Sequence, residues 1–321
     1  MEIYRVDIKT GYLCNNNCYF CVQAHNRKYG NRTAEEIKET LRTAKKKGAN
    51  GVVFTGGEFT IRKDALELVA YAKELGFESI QIQTNGRMFS NMDFAKRMVA
   101  AGANEFGPSL HGYLPEIHEY LTRAPGSWSQ TVKGIINAKK LGLRVIVNSV
   151  IVKPNYRYAP QIAKLFVKLN VDQFQFAFVH ALGNAAKYYE KMMPVMSLAM
   201  PYLKKGLKIG INAGIGVMIE AVPYCMLKGY ERYAAELYMP DTMIKEPNFW
   251  IDNFEEVRKR EGKKLFPQCK DCRFRFVCEG PWKEYPEHMG IDEFKPVPGP
   301  VIKSKKEILS NENEFPIVPR V

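Results

Sequence analysis

Tyr12-Leu-Cys-Asn-Asn-Asn-Cys-Tyr-Phe-Cys21 is a polar loop carrying three cysteines, Cys14, Cys18 and Cys21, just after a strand-like run from Tyr4 to Lys9. Iron–sulfur cubanes are held by Cys thiolates and contain four irons, so a CxxxCxxC triplet leaves one iron without a protein ligand. An iron left open in this way is a reaction site. Structural zinc prefers four ligands in two pairs, whereas the next cysteine, Cys225, lies roughly 200 residues further on. Zinc or unliganded thiols are the alternatives at this loop.

Outward from the loop, short β-branched or aromatic runs alternate with amphipathic stretches, the pattern of repeated βα units on a parallel sheet. Six strands are expected, at Tyr4–Lys9, Gly51–Thr55, Ser79–Thr84, Glu105–Leu110, Arg144–Ile151 and Gln173–Phe178. Helix punctuation supports the units between them: Thr33 and Glu36 form a capping box, and helices over Asp64–Leu75, Met92–Ala100 and Trp128–Leu141 end at or near glycine. Six such units with right-handed crossovers curl into a partial (βα)6 barrel, an α/β fold. After Phe178 the rhythm breaks. A helix is expected over Ser197–Leu207, then a hairpin of Ile209–Ala213 with Val217–Ala221, and from Pro223 a Cys-, Pro- and aromatic-rich region that depends on a bound metal for order. The divisions expected are a core over 1–195, an auxiliary region over 196–300 and an extended polar tail over 301–321.

In parallel βα folds the loops after the strands form the active face. The second strand is followed by Gly56-Gly57-Glu58, where glycines permit close backbone approach to a ligand and the carboxylate can accept hydrogen bonds from an ammonium. Thr84 and Asn85 end the third strand, Ser109 and His111 the fourth, and the fifth carries Asn148 and Val150. Such groups can hold a ribose or a carboxylate, and they are equally the ordinary chemistry of strand-to-helix turns. His111 and, after the sixth strand, His180 are candidate substrate contacts or structural histidines. A second metal signal is Cys269-x2-Cys272-x5-Cys278, preceded by Cys225; four cysteines in this arrangement fit a second cubane, with zinc as the alternative.

The cysteine triplet, with Phe20 in the aromatic position of CxxxCxφC, resembles the radical S-adenosylmethionine (SAM) superfamily, and Gly56-Gly57-Glu58 resembles its GGE motif. The resemblance implies a [4Fe-4S] cluster with an open iron on Cys14, Cys18 and Cys21. It also implies SAM held by Phe20, Gly56, Gly57, Glu58, Thr84, Asn85, Ser109, Asn148 and Val150. The later cysteines look like SPASM or twitch extensions, which carry auxiliary [4Fe-4S] clusters, although four cysteines limit this chain to one such cluster. If Cys225 is its fourth ligand the cluster serves electron transfer or structure. If it is not, an iron can bind substrate, as in the molybdopterin-precursor synthase that the chain also resembles. The activity implied is reductive cleavage of SAM and hydrogen abstraction from a peptide or protein side chain, or else from a cofactor precursor or tRNA, with a ferredoxin or flavodoxin as electron donor.

The bulk numbers bound these readings. With 321 residues, 46% hydrophobic, the chain is long enough for a large domain and a smaller one. No apolar run is long enough to span a membrane and the first residues lack a signal-peptide core, so a cytoplasmic protein is expected. Seven cysteines grouped three, one and three suit metal ligation in a reducing compartment better than disulfides. A net charge of +13 admits RNA, but the lysines are spread over helix faces and only Lys303 to Lys306 form a local patch. An iron–sulfur electron carrier or a zinc-binding interaction module is the reading outside enzymes, and it gives no reason for Gly56-Gly57-Glu58 beside the cluster.

Overall fold

The structure, a computed structural model, describes residues 4–311. β1 (Tyr4–Lys9), β2 (Gly51–Thr55), β3 (Ser79–Thr84), β4 (Glu105–Pro108), β5 (Arg144–Ile151) and β6 (Gln173–Phe178) pair in sequence order, all parallel. The fold is therefore the α/β, open parallel arrangement expected of a partial barrel. Its helices form for the reasons legible in the sequence: Thr33 Oγ1 accepts from the Glu36 amide at 3.3 Å while Glu36 Oε2 accepts from the Thr33 amide at 2.7 Å, capping the helix Ala34–Lys46.

Period-2 alternation divides each strand between two environments. Val6, Ile8, Ile80, Ile82, Phe174 and Phe176 are fully buried beneath the outer helices. Their neighbours Asp7, Gln81, Gln175 and Asn148 keep accessible surface on the other face, so the concave side of the sheet is polar.

Three more strands extend this sheet to the order β7-β6-β5-β4-β3-β2-β1-β8-β9. β7 (Gly216–Glu220) pairs parallel with β6, and β8 (Asp241–Lys245) pairs parallel with β1; β9 (Trp250–Ile251) closes the edge antiparallel. The expected hairpin is thus corrected. Ile209–Ala213 belongs to the end of a single helix, Met196–Asn212, and only Val217–Ala221 marks a strand. The reason lies in two glycines four residues apart. A Cβ on Gly206 would lie 2.7 Å from the Phe176 ring, and one on Gly210 would lie 2.5 Å from the Phe174 ring. They are contact points of a helix lying close on β6, not turn signals. The fourth strand is also shorter than expected, ending at Pro108, with Ser109 joined to Asn148 by one isolated bridge.

The Pro-rich strap is pinned to the second cysteine group: Arg273 N donates to Val297 O and Ile302 N to Arg273 O, both at 2.8 Å. The expected extended tail contains a short helix, Lys305–Ser310, and its remainder to Val321 lies outside the described residues.

Candidate active site

The cysteine triplet sits on a loop clamped from three sides. From β2, Gly57 N donates to Gly11 O at 2.7 Å and Glu58 N to Leu13 O at 2.8 Å. A Cβ on Gly57 would stand 2.2 Å from Leu13 O, and one on Gly56 would stand 2.4 Å from Gly11 O. The two glycines are therefore required by chain-on-chain contact with residues 11–13, not only by approach of a ligand. From the loop after β6, Asn184 N donates to Cys21 O at 2.9 Å and Asn184 Nδ2 to Cys18 O at 2.8 Å. Gly183, at φ +56, leaves room for this, since its Cβ would meet Cys21 O at 2.6 Å. On the third side Arg87 Nη1 donates to Asn15 O at 2.7 Å and to Asn16 Oδ1 at 2.8 Å. Gly183, Asn184 and Arg87 were not anticipated. The glycine and amide just beyond His180 were the one available signal.

The triplet opens on a cavity of about 370 Å³, within the range of small-ligand sites. Phe20, Gly56, Gly57 and Glu58 line it on one side, with Thr84, Asn85, Ser109 and Val150 further round. Glu58 is buried and held by its own chain: Oε1 accepts from Thr60 N at 3.0 Å and from Thr84 Oγ1 at 2.6 Å, and Oε2 from Asn85 N at 2.6 Å. Asn148 does not line the cavity; it lies one bridge behind Ser109, and its buried Oδ1 has no hydrogen-bond partner among the described residues.

Both histidines line the cavity with engaged rings. His111 Nδ1 accepts from the Val150 amide at 3.1 Å, which assigns the ring proton to Nε2. Burial, then the neighbouring His118, pushes its pKa well below 6.5, so the ring is neutral. His180 stacks on Trp282 with centroids 3.9 Å apart, and its Nε2 is 3.0 Å from Glu284 Oε2.

The second group closes on itself. Cys225, Cys269, Cys272 and Cys278 all line one small space, with Pro223 and Phe266 among its walls. Backbone amides point at three of the sulfurs: Phe266 N at Cys269, Gly280 N at Cys278 and Val297 N at Cys272, each at 3.4 Å.

Both thiol groups fit iron–sulfur clusters. Burial pushes Cys14 and Cys278 up to about 11 and Cys225 up to about 12, helped by Glu58 at Cys14 and by Cys278 at Cys225 and opposed by backbone hydrogen bonds at Cys278; Cys18 is raised further. Amide donors aimed at sulfurs suit thiolates held by a cationic cluster. Among the described residues no three His, Cys, Asp or Glu gather so as to hold a single ion. Tetrahedral zinc at ~2.3 Å from each sulfur would need them closer together than the corners of a cubane do.

Comparison with known proteins agrees with this geometry. Residues 8–166 match the Radical SAM superfamily. A protein of Sulfurisphaera tokodaii named as a probable GTP 3',8-cyclase is 27% identical over 186 residues, 56% of this chain and 58% of that one. The AdoMet-dependent heme synthase of Oleidesulfovibrio alaskensis is 28% identical over 54% of this chain and 45% of its own. The chain thus spans about half the length of these curated relatives. Streptococcus suis SuiB bound to S-adenosylmethionine superposes with a TM-score of 0.64 at 16% identity, covering 92% of this chain and 76% of SuiB. Native anSMEcpe with bound AdoMet gives 0.54 at 18% identity over 68% of this chain and 63% of its own. At such identities the structural likeness establishes the fold alone.

Proposed function

This chain belongs to the radical SAM superfamily of enzymes, and we propose that it abstracts hydrogen from a peptide or protein side chain placed in the cavity beside Cys14, Cys18 and Cys21. When bound, the cluster and SAM supply the 5'-deoxyadenosyl radical that removes the hydrogen.

The chain's own residues hold and shield. Cys14, Cys18 and Cys21 would ligate three irons, on a loop whose backbone is fixed by Gly57, Glu58 and Asn184. Glu58 Oε2, with one donor from Asn85, can take a hydrogen bond from the SAM ammonium. Ser109 and Val150 line the side of the cavity that suits its ribose and adenine. Cys225, Cys269, Cys272 and Cys278 would cover all four irons of an auxiliary cluster, whose work is then to accept an electron and not to bind substrate. A reducing protein such as a ferredoxin or flavodoxin would feed the first cluster.

One observation carries the substrate class: among the described residues, no Lys or Arg lines the cavity. A polyphosphate or a porphyrin bearing several carboxylates would find no cation there, whereas a neutral or cationic side chain loses nothing. The second reading, a small cofactor precursor, is favoured by the names of the curated relatives.

The test is anaerobic reconstitution, which should give about eight irons per chain. Incubation with dithionite and SAM should then release 5'-deoxyadenosine from wild type and none from Cys18→Ala. Deuterium transfer into 5'-deoxyadenosine from perdeuterated peptides supports the first reading. Transfer from perdeuterated GTP in place of peptides would overturn it.

A further inference from the structure

β7 places Glu220 on the wall of the reaction cavity, on a strand at the other end of the β1–β7 order from β2 and the glycine loop that follows it. The two cavity carboxylates differ in what their own chain gives them. Glu58 is filled by Thr60, Thr84 and Asn85. Among the described residues Glu220 receives one direct hydrogen bond, from Gln175 Nε2 to Oε2 at 2.5 Å, and it lines the cavity.

The charges around Glu220 leave an excess. Glu220, Glu236 and Glu279 face Lys263 and Arg258, three carboxylates against two cations; Arg5, on β1, is neutralised by Asp7 at 3.2 Å. Arg258 is committed to Glu279 through contacts of 2.8 and 2.7 Å. Lys263 is deeply buried, 4.0 Å above the Trp282 ring and 3.9 Å from Glu236, and its Nζ has no hydrogen-bond partner among the described residues. One negative charge therefore lacks a counter-ion in a place far from bulk water, a costly state unless a proton or a ligand cation supplies the balance. Burial first, and Glu236 second, push the Glu220 carboxyl up to about 7, with Lys263, Arg258 and Arg5 opposing. The empty site takes a proton; a cation can take the proton's place.

Resting on the peptide or protein reading of the cavity, we propose that Glu220 anchors substrate by receiving a cationic group, an ammonium or guanidinium of the side chain that is to be modified. A lysine- or arginine-type side chain then reaches into the cavity head first, with its C–H bonds held between Glu220 and the cysteine-triplet end. The absence of Lys and Arg from the lining and the single excess carboxylate point to the same class of ligand.

The experiment uses the full chain reconstituted with iron and sulfide and loaded with SAM. Three probes of similar size are titrated calorimetrically: N-acetyl-lysine N-methylamide, N-acetyl-norleucine N-methylamide and N-acetyl-glutamate N-methylamide. The lysine probe should bind about tenfold or more tighter than norleucine, the scale of one charge-assisted hydrogen bond, and the glutamate probe weakest. In buffers of different ionisation enthalpy near pH 7 its binding should release a proton. In Glu220→Gln the preference for lysine over norleucine should vanish, with iron content and thermal melting reporting that the variant has folded. Equal affinity of lysine and norleucine in wild type, no measurable binding of the lysine probe, or a preference that survives Glu220→Gln would each overturn the assignment. Failure of the enzyme reading looks different: no 5'-deoxyadenosine would be formed whatever the probes do.

Discussion

The two cysteine groups of this chain are built on opposite plans. The N-terminal three lie on a loop held from outside, by backbone contacts from β2, by Asn184 from the far side of the barrel and by Arg87, and they look into a wide cavity. The C-terminal four surround a small space with proline and aromatic side chains among its walls, and the backbone amides of Phe266, Gly280 and Val297 reach three of them. Three ligands and an open side suit chemistry on a bound molecule. Four cysteines around a closed space would leave no iron of a cluster to take a substrate, which suits the proposed electron storage. Ligand count alone gives part of this contrast, and the different supports of the two groups give the rest.

The contrast is broken most severely at the cysteines. Cys18→Ala should lower the iron content from about eight to about four and reduce 5'-deoxyadenosine formation to background, as read by iron assay and chromatography. Cys225→Ala should also remove about four irons, or leave a cluster with an altered electron paramagnetic resonance spectrum, while SAM cleavage without substrate persists. If Cys225→Ala kept both the iron and the spectrum, the second group would be as open as the first, and the electron-storage role would fall.

Gly57→Ala is the next step down. Its Cβ would overlap Leu13 O at 2.2 Å, so either β2 or the cysteine loop must move. Overpacking of this kind costs ~1–3 kcal/mol, and the loss should appear both in melting temperature and in SAM affinity. A matching change at Gly48, which has open space around its Cβ position, would test whether the close contact is responsible, although its φ of +91 adds local strain of its own.

These contacts also mark where the sequence was legible. The triplet, Gly56-Gly57-Glu58 and six strands could be read because each rests on local pattern: spacing, period-2 alternation and caps. The strand that carries Glu220 was legible, but its partner Ile209–Ala213 was misread because Gly206 and Gly210, next to alternating isoleucines, carry the marks of turn and strand; their true role is contact with Phe174 and Phe176, residues 30 or more positions earlier. β8 was missed because it is five residues long between Pro240 and Pro247, and it exists by pairing with β1 at the other end of the chain. The clamp by Asn184 likewise joins residues 166 apart in sequence. Local chemistry could be read directly, whereas contacts across the chain needed the fold.

Acid should separate the two regions by a smaller effect. His118 is buried at the core side of the cavity, where desolvation first and Arg87 second hold it at about 3 instead of 6.5, and His111 beside it is lowered in the same way. Both rings are neutral in the folded chain, so the unfolded chain binds more protons below pH 6.5. Their contribution is complete above that pH and is lost progressively as pH falls from about 6.5 toward 3. The melting temperature should therefore drop between pH 7 and pH 5, and less so in His118→Gln. An equal slope in both proteins would assign the acid loss to other groups.

The smallest expected effect bears on the clamp itself. Asn184→Ala removes the 2.8 Å bond to Cys18 O but keeps the backbone bond to Cys21 O, so one neutral hydrogen bond of ~1 kcal/mol is lost. SAM affinity should fall by about fivefold with iron content unchanged. Asn184→Asp keeps the size and reverses the dipole, setting a carboxylate against Cys18 O beside three thiolates. It should weaken SAM binding more than alanine does and lower the reduction potential of the first cluster, leaving the spectrum of the second unchanged. An aspartate no worse than alanine would mean that Asn184 only fills space, and that the external support of the triplet comes from β2 and Arg87 alone.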